Sequence, residues 1–435
     1  MEKGTAIMNS NINSVIGRRV WDSRGCPTVE VEIGLVGGES GRAIAPAGAS
    51  TGSGEAIDLR DGGKAFGGLD VQSALSAVNG EIAKLLKGRD VTDQSALDRA
   101  MIVNDGTPNK SRLGGNAIVA TSMAIAHAAA AASGLPLWRY LGQSRNDFYL
   151  PLPEVQIFGG GAHAGRRVDV QDFMIIAVGA SDYTQALEWT AEVYRAAGTL
   201  MSEAGLLQGV ADEGGYWPAF DNNEKALDFL VRAIERAGFT PGQDIAISLD
   251  IAASDFGSNG QYTLARDNRK IDSDGLCEML LGWLERYPIV SIEDPLGEDD
   301  AEGMRKFTQA AGKQVEVVAD DFICTTAKRI ELADESGACN TALIKPNQAG
   351  TLSETYAALQ AARTAGWESI VSARSGESED VTIVHLAVGW GAKQLKVGSF
   401  SRSERMAKWN EGLRIAEALG QAGGELAPRS SFPWG

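Results

Sequence analysis

Six short apolar segments in the second half of this 435-residue chain each end on a polar or charged residue. The spacings between those terminal residues are 43, 27, 25, 29 and 22 positions, which leaves room for a crossover helix each time. Strands and helices that alternate at this rhythm predict a parallel α/β barrel, whose C-terminal strand ends point into one mouth. The residues expected in that mouth are Asp250, Glu293, Asp320, Lys345, Arg374 and Lys396. Three acids, two lysines and an arginine meeting there are typical of an enzyme centre.

The beginning of the chain has a different pattern. Apolar and polar residues alternate over 28–33, and Gly37-Gly38 follows, which indicates antiparallel strands joined by a turn. The glycine- and serine-rich stretch 45–54 predicts a mobile loop. Strands in this region therefore precede the barrel and belong to a separate unit.

Helical spacing of apolar residues over 71–87 and 115–133 predicts two helices after the first strands. Strands followed by helices are typical of a small α+β domain. We expect that domain over residues 1–141 and the barrel domain over 142–435, with polar residues at the start of the second range as a linker.

The formal net charge of −17 argues against nucleic acid and anionic membranes as partners. An anionic substrate would therefore need a local cluster of cations or metal. The four cysteines are widely separated and form no CxxC pair, so neither disulfides nor a zinc site are expected. Residues 1–13 lack the apolar core of a signal peptide, and we expect no membrane span because polar residues interrupt 117–133. These features predict a cytoplasmic protein.

Seven short motifs occur in a fixed order along the chain. They are Asp22-Ser-Arg-Gly25, Gly48-Ala-Ser-Thr-Gly52, Asp212-Glu-Gly-Gly215, Ser291-Ile-Glu-Asp294, Ala319-Asp-Asp321, Leu343-Ile-Lys345 with Asn347-Gln348, and Arg374-Ser-Gly-Glu377. In this order, over nearly the whole length, the chain resembles the enolases. The resemblance implies an enolase-type modified TIM barrel behind a smaller α+β domain, a Mg²⁺-dependent hydro-lyase activity and a homodimer.

The resemblance also implies a metal site. In enolases the positions of Asp250, Glu293 and Asp320 hold a Mg²⁺ that chelates the substrate carboxylate. A second Mg²⁺ joins with the phosphate, and Ser50 on the glycine-rich loop completes its shell. Three carboxylates at successive strand ends also suit Mg²⁺ by their own chemistry, because they are hard oxygen donors. The alternative is three acids that are merely solvated or salt-bridged.

The same resemblance assigns catalytic roles. Lys345 matches the base that removes a proton α to a carboxylate, and the nearby positive charge of Lys396 favours a neutral Lys345 amine. Glu213, in a tight glycine turn, matches the general acid that helps hydroxide leave from C3. Asp172 matches the acid beside it.

Substrate-binding roles fall on five positions. Arg374 and Ser375 resemble a phosphate clamp, since a guanidinium binds phosphate oxygens in a bidentate manner. His163 and Gln171 match family motifs around the substrate, and Ser50 lies on the loop expected to close over it.

Five positions depart from the enolase pattern. Enolases carry histidine at Ala373, glutamate at Asp172, asparagine at Gly159 and at Cys26, and serine at Ala47. These changes cluster around the phosphate side, whereas the three acids and the lysine base are retained. The pattern indicates retained chemistry on an altered substrate.

Three functions are compatible with this pattern. One is a specialised dehydratase acting on a 2-phospho- or 2-phosphonyl-substituted glycerate. It would resemble the carboxyphosphonoenolpyruvate synthases, with Arg166 or Arg167 binding the extra charge. The second is a housekeeping enolase that interconverts 2-phosphoglycerate and phosphoenolpyruvate. The third is a non-catalytic enolase-like binding protein, against which the retained acids and lysines argue.

Overall fold

A computed structural model describes residues 9–49, 51–420 and 424–435 of the chain. The first element is a three-stranded antiparallel sheet made of β1 (Ile12–Trp21), β2 (Pro27–Leu35) and β3 (Ser40–Ile44). The predicted turn joins β2 to β3, and Gly38 has a φ of +102° there. Only glycine adopts such a backbone conformation at little cost, so the glycine pair sets the register of this hairpin.

Five α-helices follow this sheet. They are α1 (Gln72–Ala77), α2 (Ala83–Leu86), α3 (Gln94–Asp105), α4 (Gly115–Ala132) and α5 (Leu137–Leu141). A π-helical turn over Val78–Ile82 joins α1 to α2, so the helix predicted over 71–87 forms as one continuous element.

Helix α4 packs across β2 and β3 as the core helix of this first unit. The contact is close, because a Cβ atom on Gly41 would lie 2.1 Å from the backbone nitrogen of Ala128. By length and composition alone α4 is apolar enough to cross a membrane. Most of the helix is buried inside the protein, however, which identifies it as a core helix.

The remainder of the chain alternates strands and helices. The strands are β4 (Leu152–Gly159), β5 (Asp172–Ile176), β6 (Leu207–Val210), β7 (Tyr216–Pro218), β8 (Ala246–Asp250), β9 (Gly257–Ser258), β10 (Gln261–Leu264), β11 (Arg269–Asp272), β12 (Ile289–Glu293), β13 (Glu316–Ala319), β14 (Thr341–Ile344), β15 (Glu368–Ser372) and β16 (Gln394–Ser399). The helices are α6 (Tyr183–Glu203), α7 (Asn223–Arg236), α8 (Ser273–Arg286), α9 (Ala301–Ala311), α10 (Ala327–Ser336), α11 (Pro346–Ala349), α12 (Leu352–Thr364), α13 (Thr382–Trp390) and α14 (Ser403–Ala418).

Eight strands close into a barrel in the order β4-β5-β8-β12-β13-β14-β15-β16, with β16 pairing back onto β4. The fold is therefore the predicted modified TIM barrel behind a smaller α+β unit. Strand β5 is antiparallel to both of its neighbours, whereas the pairings from β8 round to β4 are parallel. The segment that joins β4 to β5 contains one 3₁₀ turn and no crossover α-helix, in keeping with this antiparallel pairing.

Four of the six predicted strand ends lie at the end of a strand or directly after it, and Arg374 lies two residues beyond β15. Asp250 and Glu293 are the last residues of their strands, and Asp320 and Lys345 directly follow theirs. Lys396 is not a strand end, because β16 continues for three more residues to Ser399. Its side chain therefore reaches the mouth from inside the barrel wall.

The C-terminal segment closes the opposite end of the barrel. Phe432 and Trp434 stack with ring centroids 4.5 Å apart, and Phe432 packs in a cluster with Leu152 and Ala246, which begin their strands. The Trp434 indole Nε1 donates a hydrogen bond to Glu316 inside the barrel. Access to the predicted centre is therefore from the mouth.

Candidate active site

A pocket opens in the barrel mouth and brings most of the predicted site residues together. Its lining consists of Gln171, Asp172, Glu213, Asp250, Lys345, Ser372, Ala373, Arg374, Ser375, Lys396, Val397 and Gly398. Glu293 and Asp320 lie just behind this lining, in contact with its two lysines. Residues in or next to seven barrel strands, and one in the β6–β7 turn, therefore contribute to one site.

Lys396 is the hub of a buried charge cluster. Its Nζ atom lies 2.8 Å from Asp250 Oδ2, 2.7 Å from Glu293 Oε2 and 3.7 Å from Asp172 Oδ2. Burial lowers the pKa of this ammonium group, but the carboxylates of Asp250 and Glu293 more than offset burial and raise it well above the ordinary value. Lys396 is therefore a cation that the surrounding acids hold in place.

Lys345 is held in a second ion pair on the neighbouring side of the mouth. Its ammonium group contacts Asp320 Oδ2, and Gln348 Nε2 donates to the other oxygen of that carboxylate at 2.9 Å. Burial lowers the pKa of Lys345, but nearby carboxylates, Asp320 above all, more than offset this effect. The net shift of the pKa is therefore upward. The positive charge of Lys396 does lower the pKa of Lys345, as expected, but the Asp320 carboxylate outweighs it.

Asp250, Glu293 and Asp320 each offer hard oxygen donors of the kind that a divalent cation prefers. Each side chain is buried and offers carboxylate oxygens, and Glu293 Oε1 has no hydrogen-bond partner among the described residues. Burial, followed by the nearby Asp250 carboxylate, raises the pKa of Glu293 well above its usual range. Crowded carboxylates with a spare oxygen are the surroundings that Mg²⁺ relieves.

The closest group of three carboxylates is a different one. Oxygen atoms of Asp294, Asp320 and Asp321 lie within 4.8 Å of one another. Both oxygens of Asp294 already accept backbone hydrogen bonds, at 2.9 Å from the Asp320 amide and 2.8 Å from the Asp321 amide. Asp294 therefore braces the segment that presents Asp320, and Asp320 is the member that both groups share.

The two acids expected near the leaving group come from two elements that both lie beside β4. Asp172 begins β5, and Glu213 occupies the turn between β6 and β7. Gly398, at a φ of +110°, allows the Glu213 turn to pack closely, because a Cβ atom there would lie 3.0 Å from Glu213. The Ser399 amide then donates to the Glu213 carbonyl at 2.9 Å, which ties this turn to β16.

Arg374 is engaged by an acid of the first unit. Its Nη1 and Nη2 atoms lie 3.0 and 3.1 Å from the two oxygens of Glu55, and Nη1 also donates to Asn347 at 3.0 Å. Burial would lower the pKa of this guanidinium, but the Glu55 carboxylate raises it. Ser375 faces the same region, since its hydroxyl accepts a hydrogen bond from the Ala49 amide at 3.1 Å. The expected phosphate clamp thus lies where the two parts of the chain meet.

Buried helix residues support the clamp from behind. Arg405 on α14 donates from Nη1 to the Arg374 carbonyl at 2.8 Å and from Nη2 to the Ser375 carbonyl at 2.6 Å. Lys408, one turn further along, pairs with Glu377 at 3.0 Å. These contacts fix the backbone of the Arg374-Ser-Gly-Glu377 segment.

The other predicted contributors have different outcomes. Ser50 and the side chain of His163 are outside the described residues. Gln171 lines the pocket, where its Nε2 donates to Asp250 at 2.8 Å. Arg166 and Arg167 do not line it: they donate to the Asp255 carbonyl and the Gln208 side chain. The proposed role of these two arginines at an extra substrate charge is therefore unsupported by the geometry.

Three site residues escaped sequence reasoning. Glu55 directly follows the glycine-rich stretch and received no role. An acid in a loop without a packed face could have indicated a functional residue. Gln348 lay within a quoted motif but had no assigned role. Gln156, which contacts Asp172, gave no local signal because its partner is remote in sequence.

Comparison with protein-family models agrees with this architecture. Residues 12–141 match the model described as the enolase N-terminal domain. Residues 147–429 match the model described as the enolase C-terminal TIM barrel domain. Together with the closed barrel and its converging acids and lysines, these matches show that the chain belongs to the enolase family.

Proposed function

We propose that the protein is a Mg²⁺-dependent dehydratase that removes water from a glycerate carrying a phosphoryl or phosphonyl group on C2, giving an enolpyruvate. The observation that supports this proposal most directly is the convergence of two lysines and five acids on one pocket. Asp172, Glu213 and Asp250 line it, and Glu293 and Asp320 contact its lysines.

Lys345 is the base in this proposal. Its amine takes the proton from C2, and the electron pair of the broken C–H bond moves into the substrate carboxylate. When bound by Asp250, Glu293 and Asp320, Mg²⁺ supplies the positive charge that these carboxylates otherwise receive from the lysines. Lys396 stays charged beside the carboxylate end and favours the extra negative charge that develops there.

Glu213 is the general acid. In the second step the electron pair returns to form the C2=C3 double bond, the C3–O bond breaks, and Glu213 gives its proton to the departing hydroxide. Water leaves, and Lys345 and Glu213 must each exchange one proton before the next cycle. Asp172 lies beside Lys396 and adds negative charge on the acid side of the pocket.

Arg374 and Ser375 bind the phosphorus-bearing group. A planar guanidinium matches two oxygens of a phosphoryl or phosphonyl group, and in their absence it pairs with the two oxygens of Glu55. Mg²⁺ and these cations together account for how a chain of net charge −17 could hold an anionic substrate.

Ala373 favours a substrate with a larger group at phosphorus than a plain phosphate. Its methyl side chain lines the pocket directly beside Arg374, at the position where enolases carry a histidine ring. A carboxylated phosphonyl group, as used by carboxyphosphonoenolpyruvate synthases, is the leading candidate. The second candidate is 2-phosphoglycerate itself, which the complete set of acids and lysines favours.

A substrate panel tests the proposal. We would measure the Mg²⁺-dependent rise in absorbance of the enol product with 2-phosphoglycerate and with a glycerate bearing a carboxylated phosphonyl group at C2. A higher kcat/KM for the larger substrate is expected. Equal or higher kcat/KM with 2-phosphoglycerate would show an ordinary enolase. Absence of turnover, together with no Mg²⁺-dependent binding of either compound by calorimetry, would contradict the dehydratase assignment.

A further inference from the structure

A buried glutamine connects Asp172 to the turn that carries Glu213. Gln156 on β4 has no exposed surface, and its amide Nε2 donates to Asp172 Oδ1. Its amide oxygen Oε1 accepts a hydrogen bond from the Gly215 backbone amide at 2.8 Å. Gly215 lies two residues after Glu213 in the turn that carries the proposed general acid. One side chain thus contacts the support of both acids.

The fit around this amide leaves little freedom. A Cβ atom on Gly215 would lie 2.4 Å from Gln156 Oε1, and one on Gly159 would lie 3.3 Å from Nε2. A side chain on Gly215 would therefore collide with the amide oxygen, and one on Gly159 would crowd the amide nitrogen. The rest of the turn is held by hydrogen bonds from the hydroxyls of Tyr194 and Ser401 to the Gly214 carbonyl, at 2.9 and 2.7 Å.

The direction of the hydrogen bonds matters for the chemistry. A carboxylate accepts and an amide NH₂ group donates, so the contact with Gln156 favours an ionised Asp172. The Gly215 amide requires an acceptor, and the glutamine oxygen supplies it. The glutamine amide both donates to Asp172 and accepts from Gly215. A carboxylate at position 156 could accept from Gly215 but could not donate to Asp172.

The short side chain at position 172 bears on how far Gln156 must reach. The family pattern has glutamate there, and aspartate reaches about 1.5 Å less far. Gln156 spans the distance that remains to Asp172 from the adjacent strand β4. The two side chains act as one unit whose combined length sets the position of the Asp172 carboxylate.

We propose that Gln156 is a positioning residue that couples Asp172 to the Glu213 turn and so aligns the acid side of the pocket for loss of hydroxide. This inference rests on the proposed dehydratase function. Gln156 should then affect the two steps differently. Cleavage of the C3–O bond depends on Gln156, whereas proton removal by Lys345 does not.

The test uses the full-length protein with Mg²⁺ and 2-phosphoglycerate as the probe. Exchange of the C2 hydrogen with D₂O, read by NMR, reports the Lys345 step, and product absorbance reports dehydration. Gln156→Leu removes both contacts, and Gln156→Glu keeps only an acceptor for Gly215. We expect dehydration to fall about 10- to 100-fold in both variants, with C2 exchange within about threefold of the parent.

Gln394→Leu is the matched control, because Gln394 is an equally buried barrel glutamine that contacts Glu316 instead of the acid pair. It should leave the ratio of dehydration to exchange unchanged. Amide hydrogen exchange at Gly215 gives a readout that needs no turnover: protection should persist in Gln156→Glu and be lost in Gln156→Leu.

The outcomes are distinguishable. If Gln156→Leu keeps both the dehydration-to-exchange ratio and the Gly215 protection, the positioning role is wrong. A parallel fall of exchange and dehydration would also contradict it, since that is the result of general damage. If the parent protein neither exchanges nor dehydrates any substrate of the panel but Gly215 protection responds as expected, the coupling stands and the dehydratase function fails.

Discussion

Glu55 and Arg374 form a buried bidentate ion pair between the first unit of the chain and the barrel, with nitrogen–oxygen distances of 3.0 and 3.1 Å. Both side chains are less than a tenth exposed. The Glu55 carboxylate therefore binds the guanidinium that we assign to the substrate's phosphorus-bearing group. Its two oxygens act as a stand-in for two oxygens of that group.

Glu55→Gln should destabilise the free protein and make it responsive to phosphate. Leaving a buried guanidinium without its counter-ion costs about 3–5 kcal/mol of unfolding free energy. Inorganic phosphate that binds Arg374 should restore part of this loss by linkage. Chemical denaturation with and without phosphate measures both effects.

Glu30→Gln is the matched control for this experiment. Glu30 is also a buried acid with arginine partners, Arg18 and Arg42, but it lies in the first sheet away from the pocket. It should lose stability without recovery by phosphate. Equal phosphate responses of the two variants would refute the stand-in role.

Mg²⁺ binding should depend on Glu293 and not on Asp321. Glu293 Oε1 lacks a hydrogen-bond partner among the described residues, whereas Asp294, which completes the competing trio, is already committed to two backbone amides. Saturating the parent protein at about 100 times Kd should add about 2.7 kcal/mol to its unfolding free energy. Denaturation with Mg²⁺ or with a chelator measures this gain.

The variants Glu293→Gln and Asp321→Asn then distinguish the two groups of acids. Glu293→Gln should abolish the gain from Mg²⁺, Asp321→Asn should retain it, and Asp320→Asn should lose it. A reversal of the first two results would place the metal among Asp294, Asp320 and Asp321 instead.

Stability should fall as the pH rises toward 8, because of one buried acid in the barrel. Gln394 Nε2 donates to Glu316 Oε2 at 3.2 Å, while Glu316 Oε1 and Gln394 Oε1 both lack donors among the described residues. A proton on Oε1 would supply the missing bond and complete a cyclic acid–amide pair. Burial, together with the charges of Glu154 and Glu368, raises the pKa of Glu316 to about 8.

The sign of this effect follows from proton binding. Between the ordinary value of 4.5 and about 8, the folded state holds a proton that the unfolded chain has lost. Its contribution is therefore fully present below pH 4.5 and falls by about 1.4 kcal/mol per pH unit until pH 8. Denaturation midpoints of the parent and Glu316→Gln at pH 6, 7, 8 and 9 measure it. The substituted amide needs no proton, so its slope should be flatter.

Glu417→Gln, which neutralises an exposed glutamate, is the control for this pH series. It should reproduce the parent slope. Infrared difference spectra provide a direct check, since the carbonyl stretch of a protonated carboxylic acid should vanish in Glu316→Gln. Parallel slopes of all three proteins would show that Glu316 is ionised in the fold.

Ala373→His should reverse the substrate preference. The ring would fill the space beside Arg374 and add a donor for a plain phosphate, and a hydrogen bond to a charged group is worth about 1.5–3 kcal/mol. We expect kcat/KM to rise about 10- to 100-fold for 2-phosphoglycerate and to fall for the larger phosphonyl substrate. Ala373→Leu controls for bulk, since it should reduce both. A rise with both substrates in Ala373→His would indicate an impaired ordinary enolase.

Much of the architecture follows from the spacing of apolar segments. The ends at Asp250, Glu293, Asp320 and Lys345 fall where expected, because a crossover helix needs a minimum length and the segments respect it. Strand direction is not encoded in that spacing. The reversal of β5 goes with a connection that contains no crossover α-helix, and the pattern of the strand itself gives no sign of it.

Side-chain partners were less predictable than strand ends. Lys396 was placed at a strand end because its segment turns polar there, but the strand continues past it. The nearest charge to Lys345 proved to be Asp320 and not Lys396, which only three-dimensional distances decide. Gln156 and Asp172 are likewise brought together by the β4–β5 pairing.

The backbone link between Ala47 and Gly376 has an evolutionary consequence. These residues exchange two main-chain hydrogen bonds, of 2.9 and 2.8 Å, across the boundary between the first sheet's loop and the barrel. Main-chain hydrogen bonds of this kind do not involve side chains, so most substitutions leave them intact. They are lost when the opposite segment is replaced. A barrel joined by recombination to a foreign N-terminal unit would lose them together with the acid opposite Arg374. We therefore expect the two parts of this chain to be exchanged together and not separately.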